Sequence, residues 1–446
     1  MPNSAPTFDN LAELLNAGDA SAVAALFSEA HPADIANSLE RLTPVNRPLA
    51  WAHIPREAKG EVLAELNEGV FKDLAHELDA VELVNAIKVL ELDEIADLVP
   101  DLPEAILADV LFAVDIETRN KLGEVLSYPE DSAGGLMNVD ITTVRDNVSL
   151  EVVLHYLRRL EKLPEHTDTI YLVDREGRLT GLLPIDRLIT APAKDLASAH
   201  SVENFISFAC LDDEQDVARA FADYDLLSAP VIDNDDRLFG RITIDDVVDV
   251  IREQAEHDIM AVAGLREEED IFAPVAKTSR SRTVWLAVNL VTALLGSWVI
   301  GLFEDSIQQL VALAVLMPIV ASMGGNAGTQ TLTVVIRGLS TGTISRGNMM
   351  TVLRKETLVG VLNGLIWAVV VALIAAAWFQ NAELGLVIAA AILANLVMGA
   401  IAGVCIPIFL EKMNIDPALA GGVALTTVTD VIGYFSVLGL ATLWLL

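Results

Sequence analysis

The chain has 446 residues, of which 53% are hydrophobic, and yet it carries a formal net charge of −34. Residues 284–446 hold 5 Lys and Arg against 7 Asp and Glu, so a net −32 falls on residues 1–283. A block that acidic repels nucleic acid and anionic lipid and attracts cations or basic partners, so nucleic acid is not an expected partner.

Met1–Asp19 is polar and contains Asp9, Glu13 and Asp19, without a basic stretch followed by an apolar core, so no signal peptide is expected. Residues 1–130 read as short amphipathic helices punctuated by Pro. HPADIANSLERL, REAKGEVLAELNEGVFKDLAHEL and AVELVNAIKVLELDEIADLV repeat Leu, Ile and Val at three- and four-residue steps, and strand-like alternation is missing. The expectation is an acidic, all-α domain. Cys210 and Cys405 lie far apart, and the 7 His are scattered over the acidic block without an i, i+4 pair. Neither a disulfide framework nor a Zn²⁺ centre follows, and any metal chemistry would use oxygen ligands that favour hard cations.

Residues 131–250 contain an internal duplication. YLVDREGRLTGLLPIDRLI (171–189) aligns with PVIDNDDRLFGRITIDDVV (230–248) at a constant offset of 59, pairing Asp174 with Asp233, Arg178 with Arg237, Gly181 with Gly240 and Asp186 with Asp245. Each copy reads as helix, apolar strand, D-x-x-x-R turn, strand and helix. This pattern resembles a tandem of CBS domains, small β-α-β-β-α modules that pair and often sense nucleotides or ions. GRITIDD (Gly240–Asp246) is similar to the ribose-and-phosphate corner of nucleotide-binding pairs, whereas the first copy has Pro184 and Arg187 where that corner wants a hydroxyl and an acid. The resemblance makes ATP a candidate ligand, with Tyr171, Arg187 and Thr243 as candidate contacts. A pair used only as a dimerisation platform is the alternative.

A helical pattern runs on from Asp245 through VVDVIREQAEHDIMAVAG, then meets a charged break (REEED, 266–270) and the basic-polar KTSRSR. Residues 245–275 thus join a sensor to the apolar part of the chain, either as a moving part or as a passive linker. Five apolar segments then appear, at about 284–303, 308–336, 357–379, 384–410 and 418–446, each long enough to span a bilayer. Lys277, Arg280 and Arg282 precede the first, Arg337, Arg346, Arg354 and Lys355 separate the second and third, and Lys412 separates the fourth and fifth. The other connections hold Glu304, Asp305 and Glu383 without Lys or Arg. Positive charge on one side places the acidic block in the cytoplasm and the C-terminus outside.

Two of these spans are chemically unusual. The second, VLMPIVASMGGNAGTQTLTVVIRG, has Pro318 and Gly324-Gly325, which allow a kink or local unwinding, and a ridge of Asn326, Thr329, Gln330 and Thr333. The fifth carries Asp430 as its only charged residue, with Thr426 and Thr427 one turn before it and Gly433 one turn after. A carboxylate at that depth is costly unless it meets water, a partner or a cation, which marks a functional site. Interhelical packing of the second span and a protonated, hydrogen-bonded Asp430 are the structural alternatives.

GGNAGTQTLTVVIRGLSTG and ALTTVTDVIGYFSVLGLAT are similar to the signature stretches of the MgtE family of Mg²⁺ channels, and HPADIA (31–36), PEDSAGGLM (129–137), the CBS pair and five spans fall in that family's order. The resemblance implies a homodimer in the cell membrane with a central pore lined by the second and fifth spans. It places the selectivity carboxylate on Asp430 and the neighbouring pore positions on Thr426, Gly433, Asn326, Thr329 and Thr333, although some relatives carry Asn at the position of Thr329. It also implies closure of the pore by regulatory Mg²⁺, with Asp93, Asp97, Asp225, Asp246, Asp249, Asp258 and Asp416 as ligand candidates. Gln215 and Gln254 stand near positions where the family uses acids.

The expected fold is therefore a multidomain membrane protein: an all-α domain (1–130), an α/β tandem CBS pair (131–250), a connecting plug helix (245–275) and an α-helical pore domain of five spans (284–446). The expected function is import of Mg²⁺ down its electrochemical gradient. A membrane-anchored CBS sensor of nucleotide or metal is the alternative, but it would not need Asp430. A lone Asp without a second acid, His or Ser-Lys pair speaks against an intramembrane enzyme, and no GxxxxGK[ST] motif supports a pump.

Overall fold

The computed structural model describes residues 8–446 apart from 161, 165, 263, 266–269 and 346; Arg346 and most of the REEED break lie outside the described residues. The chain forms two compact units, Met1–Ala255 with Glu268–Ala273, and Glu256–Glu267 with Pro274–Leu446.

The first unit opens with ten short α-helices between Leu11–Ala17 and Ile116–Val125. Side-chain caps set their lengths. Asp19 accepts a bond from Ala22 N, Asn67 from Gly69 N, and Asp79 from Val81 N. The run REAKGEVLAELNEGVFKDLAHEL is two helices rather than one, Lys59–Ala64 and Glu68–Glu77, because Asn67 starts a new one. AVELVNAIKVLELDEIADLV likewise divides where Glu91 and Glu94 form a capping box. Buried Ile35, Leu39, Trp51, Leu63, Phe71 and Leu83 form the centre of this domain.

Two three-stranded sheets follow. β1 (Thr143–Arg145) pairs parallel with β2 (Thr169–Val173), which pairs antiparallel with β3 (Leu179–Pro184). β4 (Phe208–Ala209), β5 (Ser228–Ile232) and β6 (Leu238–Thr243) repeat that order. The duplication extends to individual hydrogen bonds. Asp174 Oδ1 accepts from Glu176 N at 2.9 Å and Arg178 N at 2.8 Å, and Asp233 Oδ1 accepts from Asp235 N at 2.8 Å and Arg237 N at 2.9 Å. An irregularity in register falls at Leu172/Val173 in one copy and at Val231/Ile232, the equivalent place, in the other.

The two copies are packed differently. The first keeps its own core of Leu150, Val153, Ile170, Leu172 and Leu183. The core of the second, with Phe221, Val231 and Ile242, is continuous with that of the helical domain. PEDSAGGLM makes that junction. Ala133 N donates to Asp212 O and Gly134 N to Cys210 O, and a Cβ on Gly134 would lie 2.6 Å from the Tyr128 ring.

The second unit holds five helices of 27–31 residues that are apolar enough to cross a membrane: Val275–Gly301, Ala312–Ser340, Met349–Phe379, Ala382–Lys412 and Pro417–Trp444. The first begins earlier than its apolar run, because KTSRSR continues as helix. A short helix, Glu304–Gln309, joins the first and second spans. The second span is continuous through Pro318 and Gly324-Gly325, so the expected local unwinding is not present.

The glycines serve contact instead. A Cβ on Gly399 would lie 2.7 Å from Gly324 O, and one on Gly403 would lie 2.7 Å from Gly328 O, so paired G-x-x-x-G stripes bring the second and fourth spans backbone to backbone. The fourth span also packs on the third and fifth through Ile388, Ala391, Ile392 and Leu396, which makes it the centre of the bundle.

A methyl group at Gly403 meets backbone, which cannot turn aside. We expect Gly403→Ala to destabilise the protein by about 1–3 kcal/mol, the usual cost of overpacking. Gly301→Ala, where a Cβ meets nothing within 4 Å, should leave the melting temperature in detergent unchanged or raised.

Candidate ion pathway and acidic cluster

The second span divides into two faces. Gly324, Gly328, Thr331, Leu332 and Val335 are buried against its neighbours, whereas Asn326, Thr329, Gln330 and Thr333 are exposed in the single chain. The polar ridge is thus free of intrachain packing.

On the fifth span Asp430 is half-buried and makes no side-chain hydrogen bond or ion pair with the described residues, and Thr426 is exposed one turn before it. Two hydroxyls one turn before Asp430 donate into their own helix, Thr426 Oγ1 to Gly422 O at 2.9 Å and Thr427 Oγ1 to Val423 O at 2.7 Å, and Thr333 Oγ1, further along the second span, does the same to Thr329 O at 2.9 Å. With the proton used internally, the oxygen lone pairs remain to accept from water. Gly433 lies two turns beyond Thr426 on the same side of the helix but in a different environment. It is buried, and a Cβ there would be 3.3 Å from Ala321 Cα.

Two polar residues that hydrophobic periodicity does not single out also reach the second span. Asn395 of the fourth span is fully buried and donates from Nδ2 to Val320 O at 2.8 Å. Glu356 of the third span is 8% exposed and accepts from Thr331 Oγ1 at 3.4 Å. A lone Asn within the run AILANLVMG was the available signal for the first. Glu356 sits beside Arg354 and Lys355, where it reads as part of a loop.

The acidic residues of the first unit include a crowded group. Asp93, Glu94 and Asp97 lie on the helix Leu92–Leu98, and Asp246 opens the connecting helix Ile244–Val262. Loss of solvent, followed by repulsion from Glu91, pushes Asp93 up to about 6, although Asn138 Nδ2 donates to it at 2.9 Å. Burial and then the Asp93 and Asp245 charges push Asp246 up to about 7. Glu94 is raised to about 7, first by burial and then by Asp93, Glu91 and Glu61. Asp97 is exposed at the surface, yet the protein atoms packed around its carboxyl and then the Asp93, Asp246, Glu253 and Glu130 charges raise it too. Among the described residues no three His, Cys, Asp or Glu side chains converge on one point as direct ligands. The cluster has the hard oxygen donors and the excess negative charge that suit a hydrated Mg²⁺.

The other ligand candidates are placed separately. Asp225 ends the helix Glu214–Tyr224 in a left-handed conformation, φ 52°, and is exposed. Asp249 is exposed near Arg252, whose Nη1 is 3.8 Å away. In the second unit Asp416 caps the fifth span through Ala418 N and Leu419 N, and its Oδ2 lies 3.1 Å from His257 Nε2, next to Asp258. Gln215 Nε2 donates to Gln254 Oε1 at 2.6 Å, so these two amides are bonded to each other.

Comparison with known proteins gives the same division of the chain. Residues 317–440 match the family model described as a divalent cation transporter, 30–131 match the MgtE intracellular N domain, and 133–194 and 204–253 match CBS domains. The chain belongs to the MgtE family. The magnesium transporter MgtE of Thermus thermophilus is 29% identical over 442 residues, covering 98% of each chain. That of Bacillus subtilis is 26% identical over 421 residues, covering 92% of this chain and 93% of its own. The crystal structure of the cytosolic domain of the Mg²⁺ channel MgtE in complex with ATP is 31% identical; it matches 55% of this chain and 100% of its own with a TM-score of 0.51. This MgtE-family chain is a multi-pass membrane protein with a CBS pair, and its curated relatives are transporters rather than enzymes.

The nucleotide candidates of the CBS pair differ in access. Tyr171 is 1% exposed in β2, with its hydroxyl 3.5 Å from Ser228 Oγ, which donates to Asp168. Thr243 is buried and its hydroxyl donates to Asp246 at 2.9 Å, which engages it with the acidic cluster. Arg187 is exposed and donates to His200 O.

A carboxyl whose pKa is raised by folding binds more protons folded than unfolded, so stability falls as pH climbs from about 4 to 7. Divalent ions need the ionised form and should offset that loss most where the carboxyls are charged. We expect calorimetry of the chelated protein to give a lower melting temperature at pH 8 than at pH 6. Added Mg²⁺ should raise it more at pH 8. An equal Mg²⁺ shift at both values would count against ion binding by this cluster.

Proposed function

We propose that the chain is a Mg²⁺-selective channel of the cell membrane that passes Mg²⁺ inward and closes when cytosolic Mg²⁺ is high. In this reading residues 1–130 and 131–250 form the cytoplasmic sensor, 245–275 the connecting plug and 284–446 the pore, with the C-terminus outside. Two copies form a homodimer within membrane lipid, and their second and fifth spans line one pathway.

The observation that carries the proposal is Asp430, a half-buried carboxylate without a side-chain partner among the described residues, in a span of otherwise uncharged residues. Mg²⁺ sheds water reluctantly and is held most readily through its hydration shell. One Asp430 per subunit gives a divalent ion two opposing charges in a narrow neck, where a monovalent ion gains about half as much. Hydroxyl and amide oxygens of Thr426, Asn326, Thr329 and Thr333 would accept from its water, while Gly433 allows the helices to approach. The names of the relatives, magnesium transporters and a Mg²⁺ channel, support the same substrate.

Closure follows from charge. The acidic block repels itself when free of cations, and Mg²⁺ at Asp93, Asp97 and Asp246, with Asp225, Asp249, Asp258 and Asp416 as further ligands, would draw its parts together. The transported ion is then its own inhibitor. ATP at the CBS pair is a second regulatory ligand in this proposal, by likeness to the ATP-bound cytosolic domain.

Mg²⁺ uptake into proteoliposomes, with internal Mg²⁺ varied, tests both parts. Asp430→Asn keeps the shape and removes the charge, and we expect flux to fall by about tenfold or more, the scale of one partly screened charge interaction. Deletion of residues 1–130 should leave conduction but weaken closure as internal Mg²⁺ rises. Unchanged flux in Asp430→Asn would remove the selectivity assignment, and unchanged closure after the deletion would remove the helical domain from gating.

A further inference from the structure

The environment of Asn395 is unusual for a polar side chain in a span. It is fully buried, its Nδ2 donates to Val320 O of the second span at 2.8 Å, and its Oδ1 is buried without a hydrogen-bond partner among the described residues. Its carboxamide fills space left by two glycines on two other helices. A Cβ on Gly324 of the second span would collide with the amide, and one on Gly433 of the fifth would lie 2.8 Å from its Nδ2. Gly433 is three residues from Asp430. Close by, a Cβ on Gly325 would lie 3.7 Å from Thr429 Oγ1, the residue before Asp430.

Stability alone does not account for an Asn here. Leu has nearly the same shape and would bury no polar atom, whereas Asn gains one interhelical hydrogen bond and leaves an acceptor unpaired, a loss comparable to the gain. The hydrogen bond does one thing that Leu cannot. It fixes a chosen carbonyl of the second span against a chosen point of the fourth, and so fixes rotation as well as separation.

We propose that Asn395 is a positioning residue for the ion pathway: it sets the rotation and spacing of the second and fifth spans at the level of Asp430. The inference rests on the pore reading above. Asn395 touches no ion; it acts by aiming the Asn326–Thr333 ridge and the Asp430 carboxylate. Hydrated Mg²⁺ and Ca²⁺ differ in size and in how readily they lose water, so a change in spacing alters discrimination between them, which a change in the amount of folded protein does not.

The test compares wild type, Asn395→Leu, Asn395→Ala, Gly324→Ala and Asp430→Asn in proteoliposomes, reading half-saturating Mg²⁺, maximal flux, the Mg²⁺/Ca²⁺ flux ratio and melting temperature. Asn395→Leu is expected to melt at or above the wild-type temperature. Its half-saturating Mg²⁺ should nevertheless rise, and its Mg²⁺/Ca²⁺ ratio fall, by about tenfold, the change produced by the free energy of one hydrogen bond. Gly324→Ala, which displaces the same amide from the other side, should lower the ratio in the same direction. Wild-type half-saturation and ratio in Asn395→Leu, beside lost flux in Asp430→Asn, would overturn the positioning role and leave the pore reading intact. Retained flux in Asp430→Asn would remove the pore reading itself. If Asn395→Leu does not fold, Asn395→Ala carries the same expectation, and failure of both to fold would make Asn395 a structural residue and end the proposal.

Discussion

A carboxylate within an apolar helix must be wetted, paired or protonated, and much of the membrane domain can be understood from that constraint on Asp430. Among the described residues Asp430 has no side-chain partner. The hydroxyls of Thr426 and Thr427, one turn away, donate into their own helix, and the polar ridge of the second span is likewise left exposed. The opposite face of that span is committed to contact, with Gly324 and Gly328 set backbone to backbone against Gly399 and Gly403. One face therefore holds the helix in place and the other is left uncovered in the single chain. This division explains why a helix containing Pro318 and two adjacent glycines stays continuous. Its small residues are used for approach, not for unwinding.

The soluble unit answers a similar constraint with the opposite arrangement. Asp93, Glu94, Asp97 and Asp246 are brought together by a helix of the all-α domain and by the start of the connecting helix, and each is raised by burial and by its acidic neighbours. The continuous core of the helical domain and the second CBS copy holds these groups close despite their repulsion. Apolar burial is the stabilising term that makes such crowding tolerable, and a divalent cation is the ligand that would relieve it.

Much of this was legible in the sequence. Asp174/Arg178 and Asp233/Arg237 announced a duplicated turn, and the structure repeats it to the same backbone hydrogen bonds. The five apolar runs and the MgtE signature stretches were equally plain. Helix boundaries in residues 1–130 were not, because Asn67 and Glu91 end one helix and begin another inside what reads as a single periodic run. Asn395 and Glu356 escaped notice because periodicity records which residues are apolar, not which carbonyl or hydroxyl a lone polar group will meet. The pairing of Gln215 with Gln254, remote in sequence, was hidden for the same reason.

The central claim is that the Asp430 charge, and not the general shape of the pathway, holds the divalent ion. It is tested most directly by Mg²⁺ block of monovalent current. With divalent ions chelated, Na⁺ current through purified protein in planar bilayers should be blocked by added Mg²⁺, because a site that binds the divalent ion tightly occludes the pathway. In Asp430→Asn the same block should need at least about tenfold more Mg²⁺, as expected for loss of a partly screened charge. Equal block in the two proteins would contradict the account.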